Sequence, residues 1–113
     1  MGIHKARIIA FKKMRKDIDL FRNVLLSAQR AILGEIYVEI RAIAIGFDSK
    51  KLTVICYLDR IPIEDDYENL SNIVGQIVAD IDFETVEEKC VFSQDLLSKL
   101  DSLDSFIYAR KER

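Results

Sequence analysis

A chain of 113 residues, 50% hydrophobic and 32% charged, is long enough to bury one core without metals or disulfide staples, and we read residues 1–113 as a single domain. That balance excludes a disordered chain, and no apolar run approaches the roughly 20 residues that cross a bilayer. The formal net charge of −2 conceals a division: residues 1–32 carry eight Lys/Arg against Asp17 and Asp19, a balance of +6, and residues 33–113 carry nine against seventeen, a balance of −8.

The opening "MGIHKARIIAFKKM" lacks a long uncharged core followed by a small-residue cleavage site, so the expected compartment is the cytoplasm, with no membrane contact. From Phe11 to Ile32 the residues Phe11, Met14, Ile18, Phe21, Leu25, Ala28 and Ile32 recur at three- and four-residue spacings, which predicts a long amphipathic helix. Lys12, Lys13, Arg15, Lys16, Arg22 and Arg30 occupy its other faces, and Gly34 stands where a left-handed cap stops a helix.

Beyond Gly34 the period changes to two. "YVEIRAIAIGF" and "KLTVICYL" flank the polar turn "DSKK" and predict a β-hairpin over 37–47 and 51–58. Pro62 blocks continuation of the second strand, and Asp65 or Asp66 is placed to cap a helix whose inward residues are Tyr67, Leu70, Val74, Ile77 and Ile81. Gly75 weakens that helix by about 1 kcal/mol relative to alanine, which suggests a close packing partner. "TVEEKCVF" alternates as a third strand, "DLLSKLDSLD" reads as a loop or short helix, and "SFIYARK" alternates as a fourth strand. The expected fold is α+β, in the order α-β-β-α-β-β: a two-layer sandwich with a mostly antiparallel four-stranded sheet, one face covered by the two helices. The alternation is compatible with a fourth strand beside the third or beside the first.

Chemistry is sparse. His4, the sole histidine, is close to the N-terminus and poorly placed for general-base work. Cys56 and Cys90 fall within apolar alternating segments, as small buried hydrophobes do, and with one histidine they fall short of a structural zinc set. G-x-x-x-x-G-K-[ST], G-x-G-x-x-G and calcium-loop motifs are missing. We therefore expect no catalytic, cofactor-binding or metal-binding residues, no cofactor, and a protein that is not an enzyme.

Acidic residues cluster twice. Asp59, Glu64, Asp65, Asp66 and Glu68 fall within residues 57–70. The helix dipole favours carboxylates in a first turn by roughly 0.3–1 kcal/mol each, and this alone accounts for most of them. A catalytic pair would need one carboxyl in an apolar pocket, whereas this run reads as solvated. Asp80, Asp82, Glu84, Glu87 and Glu88 form a second run at the far end of the same helix and into the third strand, where the dipole disfavours negative charge. Solubility is one reading of such a surface; recognition of a basic partner is the other.

The segments "VICYLDRIPIEDDYENLS" (54–71), "VEEKCVF" (86–92) and "SFIYARKE" (105–112) resemble small immunity proteins encoded beside bacterial polymorphic toxins, including those of contact-dependent growth inhibition. The resemblance is one of layout and carries no motif that transfers residue by residue. It implies tight binding to one cognate toxin domain, commonly a nuclease, and hence protection of the producing cell. Together with the second acidic run it nominates Asp59, Asp65, Asp66, Glu68, Asp80, Asp82, Glu84 and Glu87 as the partner-binding carboxylates. The rivals are a nucleic-acid-binding module using the basic helix, a homodimeric scaffold subunit using its apolar stripe, and a small enzyme with an unrecognised site.

Overall fold

In the computed structural model of the chain, which describes residues 18–112, β-branched alternation on both sides of a polar turn produces the central hairpin. Its strands are β1 (Ile40–Phe47) and β2 (Lys51–Leu58), antiparallel, with Ile43 opposite Cys56 and Ile45 opposite Val54. The Asp48 carboxylate accepts the amides of Lys50 and Lys51 at 2.7 and 2.8 Å and so fixes the turn. The first strand begins later than expected: Tyr37–Glu39 form a turn, in which the Ile40 amide donates to the Tyr37 carbonyl at 3.0 Å.

The first helix, α1, covers residues 18–31 of the described chain, and Gly34, with φ +79°, turns the chain out of it as expected. The expected start at Phe11, the basic residues Lys12, Lys13, Arg15 and Lys16, and His4 lie outside the described residues. Helix α2 (Glu64–Asp80) follows Pro62. The N-cap residue itself is Ile63, and Asp65 and Asp66 lie inside the helix, where Asp66, at the third position, caps it from within by accepting the Ile63 amide at 2.8 Å. Leu70, Val74 and Ile77 face inward as expected, but Ile73 takes the place assigned to Tyr67, which is exposed. A side chain at Gly75 would meet nothing within 4 Å, so no packing partner demands glycine there.

Strand β3 (Thr85–Phe92) joins β2 in parallel, with Cys56 opposite Cys90 and Leu58 opposite Phe92. A 3₁₀ turn, Leu97–Lys99, precedes β4 (Ser105–Ala109), which pairs antiparallel with β1. The sheet order is β3-β2-β1-β4. This corrects two expectations: the sheet is mixed and not mostly antiparallel, and the chain order α-β-β-α-β-β gains a 3₁₀ turn before its last strand, which of the two open places takes the one beside the first strand. The reason is the connection between β2 and β3. A helix of 17 residues carries the chain about 25 Å back along the sheet, so the next strand starts from the same end as β2 and must run parallel to it.

One sheet face is covered by α1 and α2. Ile40, Ile43, Ile45, Leu52, Val54 and Leu58 meet Val24 and Ala28 of α1 and Leu70, Ile73 and Ile77 of α2. Each such side chain, removed completely from water, contributes roughly 1.5–3 kcal/mol for the larger aliphatics. The opposite face is not bare. Ala42, Ala44, Ile55 and Tyr57 are buried under Leu97, Leu100, Leu103 and Phe106. Small residues on β1 let the chain after β3 lie close: a Cβ on Gly46 would come within 3.0 Å of the Leu103 side chain.

Candidate protein-recognition surface

The acidic residues are sorted by where α2 and β3 place them. Asp66, at the third position of α2, turns inward and is 1% exposed. Arg60 donates to it through its two terminal nitrogens, Nη1 and Nη2, at 2.6 and 3.1 Å, the Tyr37 hydroxyl donates to it, and the Ile63 amide donates at 2.8 Å. The Arg60 guanidinium, with the Ile63 amide and Tyr37 hydroxyl, holds the carboxyl down to about 2 against the cost of burial. Asp66 therefore fastens the start of α2 to the segment before β1 and is not on the surface expected for it.

Three of the nominated carboxylates are surface groups already engaged within the chain. Asp59 pairs with Arg110 at 2.7 Å, joining the end of β2 to the residue after β4. Asp80 accepts the Ser27 hydroxyl at 2.7 Å and lies 3.6 Å from Arg30, tying α2 to α1. Glu87 sits between Lys51 and Lys89 at 2.9 and 3.0 Å, and these two ammonium groups lower its pKa. The second acidic run thus has partial structural explanations that a linear reading could not supply.

Asp65, Glu68, Asp82 and Glu84 are exposed, and among the described residues none of the ion pairs includes them. Asp65 and Glu68 stand on the first turns of α2; Asp82 and Glu84 stand between its far end and the start of β3. The two pairs are therefore separated by the length of the helix, about 25 Å. Glu88 lies between them on β3, hydrogen-bonded at 2.9 Å by the Ser71 hydroxyl of α2, and Glu64 extends the row at the helix start. Neither Glu64 nor Glu88 was nominated from the sequence, although both belong to the same two runs. The result is an acidic flank running along α2 and the sheet edge formed by β3.

A second polar cluster spans one end of the sheet, where β1 begins and β2, β3 and β4 finish. Arg41, 5% exposed on β1, donates to both carboxylate oxygens of Glu112, at 2.9 and 2.7 Å, and to the Ser93 carbonyl at 2.8 Å. Arg110 also reaches Glu112, at 3.0 Å, and the Val38 carbonyl at 2.7 Å. The Arg41 guanidinium beside Glu112 holds that carboxyl down to about 2. The basic ending of the fourth strand is therefore used to close the fold. A depression of about 350 Å³ between α1 and the hairpin turn is lined by Phe21, Phe47, Asp48 and Asp104. Its two carboxylates already accept backbone amides, Asp48 those of the turn and Asp104 that of Phe47. Among the described residues no group of three His, Cys, Asp or Glu side chains is placed to hold a metal ion, and no helix is long and apolar enough to cross a membrane.

No curated protein matches the chain. A family model does: that of the MafI2 immunity protein, over residues 22–112, which takes in α1 from its second described turn, the whole sheet, α2 and the Arg41–Glu112 closure. With most of its length matched, this chain belongs to the MafI2 immunity protein family, whose members are the neutralising partners of toxins.

Proposed function

We propose that the protein neutralises its cognate toxin by docking the acidic flank of α2 and β3 onto a basic toxin domain, and that this domain is a nuclease of the polymorphic-toxin or contact-dependent growth inhibition type. The observation that carries the reading is the set of exposed carboxylates, Asp65, Glu68, Asp82 and Glu84, that no cation among the described residues neutralises. Carboxylates left in this state create a negative potential along one side of the molecule, which attracts and orients a partner built to bind phosphate. The protein acts as a stoichiometric inhibitor and not as an enzyme, in the cytoplasm of the producing cell. Its partner is a protein; it does not itself bind nucleic acid or membrane. Asp59, Asp80 and Glu87 stand at the margins of this surface with their charge largely balanced, and Asp66 supports it from within.

Coexpression with the toxin encoded beside it tests the reading. The expected result is survival of the host, a one-to-one complex, and loss of the toxin's cleavage of RNA or DNA when the immunity protein is added in equal amount. Replacing Asp65, Glu68, Asp82 and Glu84 by their amides should weaken both protection and affinity. A folded quadruple variant that protects as well as the parent would overturn the proposed surface. A neutralised toxin that cleaves no nucleic acid would overturn the nuclease reading.

A further inference from the structure

Along the acidic flank stands an apolar feature whose side chains the core leaves in solvent. Tyr67 and Ile63 are each 51% exposed and Phe92 is 40% exposed. The topology brings them together. Because β3 is parallel to β2 and α2 returns between them, helix and strand run in opposite directions, and the Ser71–Glu88 hydrogen bond of 2.9 Å fixes their relative level. Tyr67 is one turn back from Ser71, about 6 Å, and Cys90 is two residues on from Glu88, about 6.6 Å, so the two stand side by side. A helical side chain tilts toward its own N-terminus, which carries the Tyr67 ring on toward Phe92. Phe92 is in register with Leu58, which faces the helices, so its ring points into the same layer. Glu64, three residues before Tyr67, stands beside it on the helix surface, Glu68 follows one turn on from Glu64, and Ile63, the N-cap residue in extended backbone, leads the chain into the strip.

Two exposed rings edged by carboxylates that form no ion pair among the described residues make a place for a cationic side chain. The ring faces attract a guanidinium or ammonium through their quadrupoles, and the carboxylates accept its N–H groups. We propose that Tyr67 and Phe92 are the centre of the toxin-binding surface, taking an arginine or lysine side chain of the toxin domain between their rings while Glu64 and Glu68 pair with its charge. This rests on the basic toxin partner of the proposed function and adds to it the residues that hold the complex once formed. Aromatic anchors at the middle of an interface govern dissociation, and the surrounding carboxylates govern encounter.

The experiment measures association and dissociation rates between the toxin domain encoded beside this protein and the Tyr67→Ala, Tyr67→Phe, Phe92→Ala and Glu64→Gln/Glu68→Gln variants, each confirmed as folded by circular dichroism. Tyr67→Ala is expected to weaken binding by about 30-fold or more, mostly through faster dissociation. Tyr67→Phe should stay within about 3-fold of the parent, since the ring and not the hydroxyl makes the contact. If Phe92→Ala fails to fold, Tyr67→Ala decides the matter alone, because its half-exposed ring is not part of the core. Parent-like binding by Tyr67→Ala overturns the inference and leaves the proposed function standing, whereas absence of binding by the parent protein overturns both. A parent self-association abolished by Tyr67→Ala, with toxin binding intact, assigns the strip to a second copy of the chain and also overturns it.

Discussion

Adjacent aspartates in "EDD" have opposite fates. Asp65 points to solvent, while Asp66 is enclosed by Arg60, Tyr37 and the Ile63 amide. Replacing Asp66 by asparagine removes the charge that organises three donors, and the expected loss is about 2–3 kcal/mol of unfolding free energy in urea titration. The same change at Asp65 should stay within about 0.5 kcal/mol. Asp66 also makes stability depend on acid. Its pKa falls from the ordinary 3.8 to about 2 in the folded protein, so the folded state holds the carboxylate more tightly than the unfolded one. That contribution is complete above about pH 4, and it is lost as pH falls through about 2. Glu112, lowered to about 2 from 4.5 beside Arg41, adds to the loss in the same direction. Thermal melts between pH 5 and pH 2 should show a steep fall in Tm for the parent and a shallower one for Asp66→Asn; equal slopes would show that Asp66 is not a source of the dependence. The inward turn of Asp66 was not legible from "EDD" because it depends on Tyr37 and Arg60, one of them 29 residues away.

Elements were more legible than their relations. Alternation located the hairpin, the three- and four-residue spacing located both helices, and Gly34 marked the end of α1. The parallel β2–β3 pair was missed, although a strand, a 17-residue helix and a strand in succession are the signature of a crossover. Cover over the second face was missed as well, because "DLLSKLDSLD" has too few turns of regular structure to show a period, and only its leucines hint that it packs. Parallel register has a chemical consequence. It sets Cys56 and Cys90 side by side as free thiols, Cys56 buried and Cys90 half-buried at the sheet edge. The neighbouring Cys90 sulfur and burial push Cys56 up, whereas the Cys56 thiol, donating to Cys90, pulls Cys90 down. Iodoacetamide should therefore label Cys90 first, with Cys56 reacting only as the protein unfolds; peptide mapping that finds Cys56 labelled first would contradict the register. At the end of the sheet, Glu112→Ala leaves the Arg41 guanidinium buried without its anion, and about 3 kcal/mol of destabilisation is expected by chemical denaturation.

On the scale of the whole molecule, charge separation was legible as a split between a basic start and an acidic remainder, but its three-dimensional form was not. Of the eight carboxylates nominated from the sequence, the fold buries Asp66 and gives Asp59, Asp80 and Glu87 cationic neighbours, while Asp65, Glu68, Asp82 and Glu84 keep their charge outward. A net charge of only −2 means that long-range attraction comes from the arrangement of charge and not from its total. The two outward pairs lie about 25 Å apart, well beyond the Debye length of about 8 Å at physiological salt. They should therefore act independently on encounter with the toxin. Neutralising either pair is expected to lower the association rate by several-fold at low salt, neutralising both should multiply the two effects, and the dissociation rate should change little except through Glu68, which pairs with the toxin cation held by Tyr67 and Phe92. Raising the salt concentration should bring the parent's association rate down toward that of the quadruple variant. Stopped-flow association across a salt series separates this from a contact role: if Asp65, Asp82 and Glu84 instead touch toxin cations in a dry interface, their removal will show mainly as faster dissociation that salt does not reproduce.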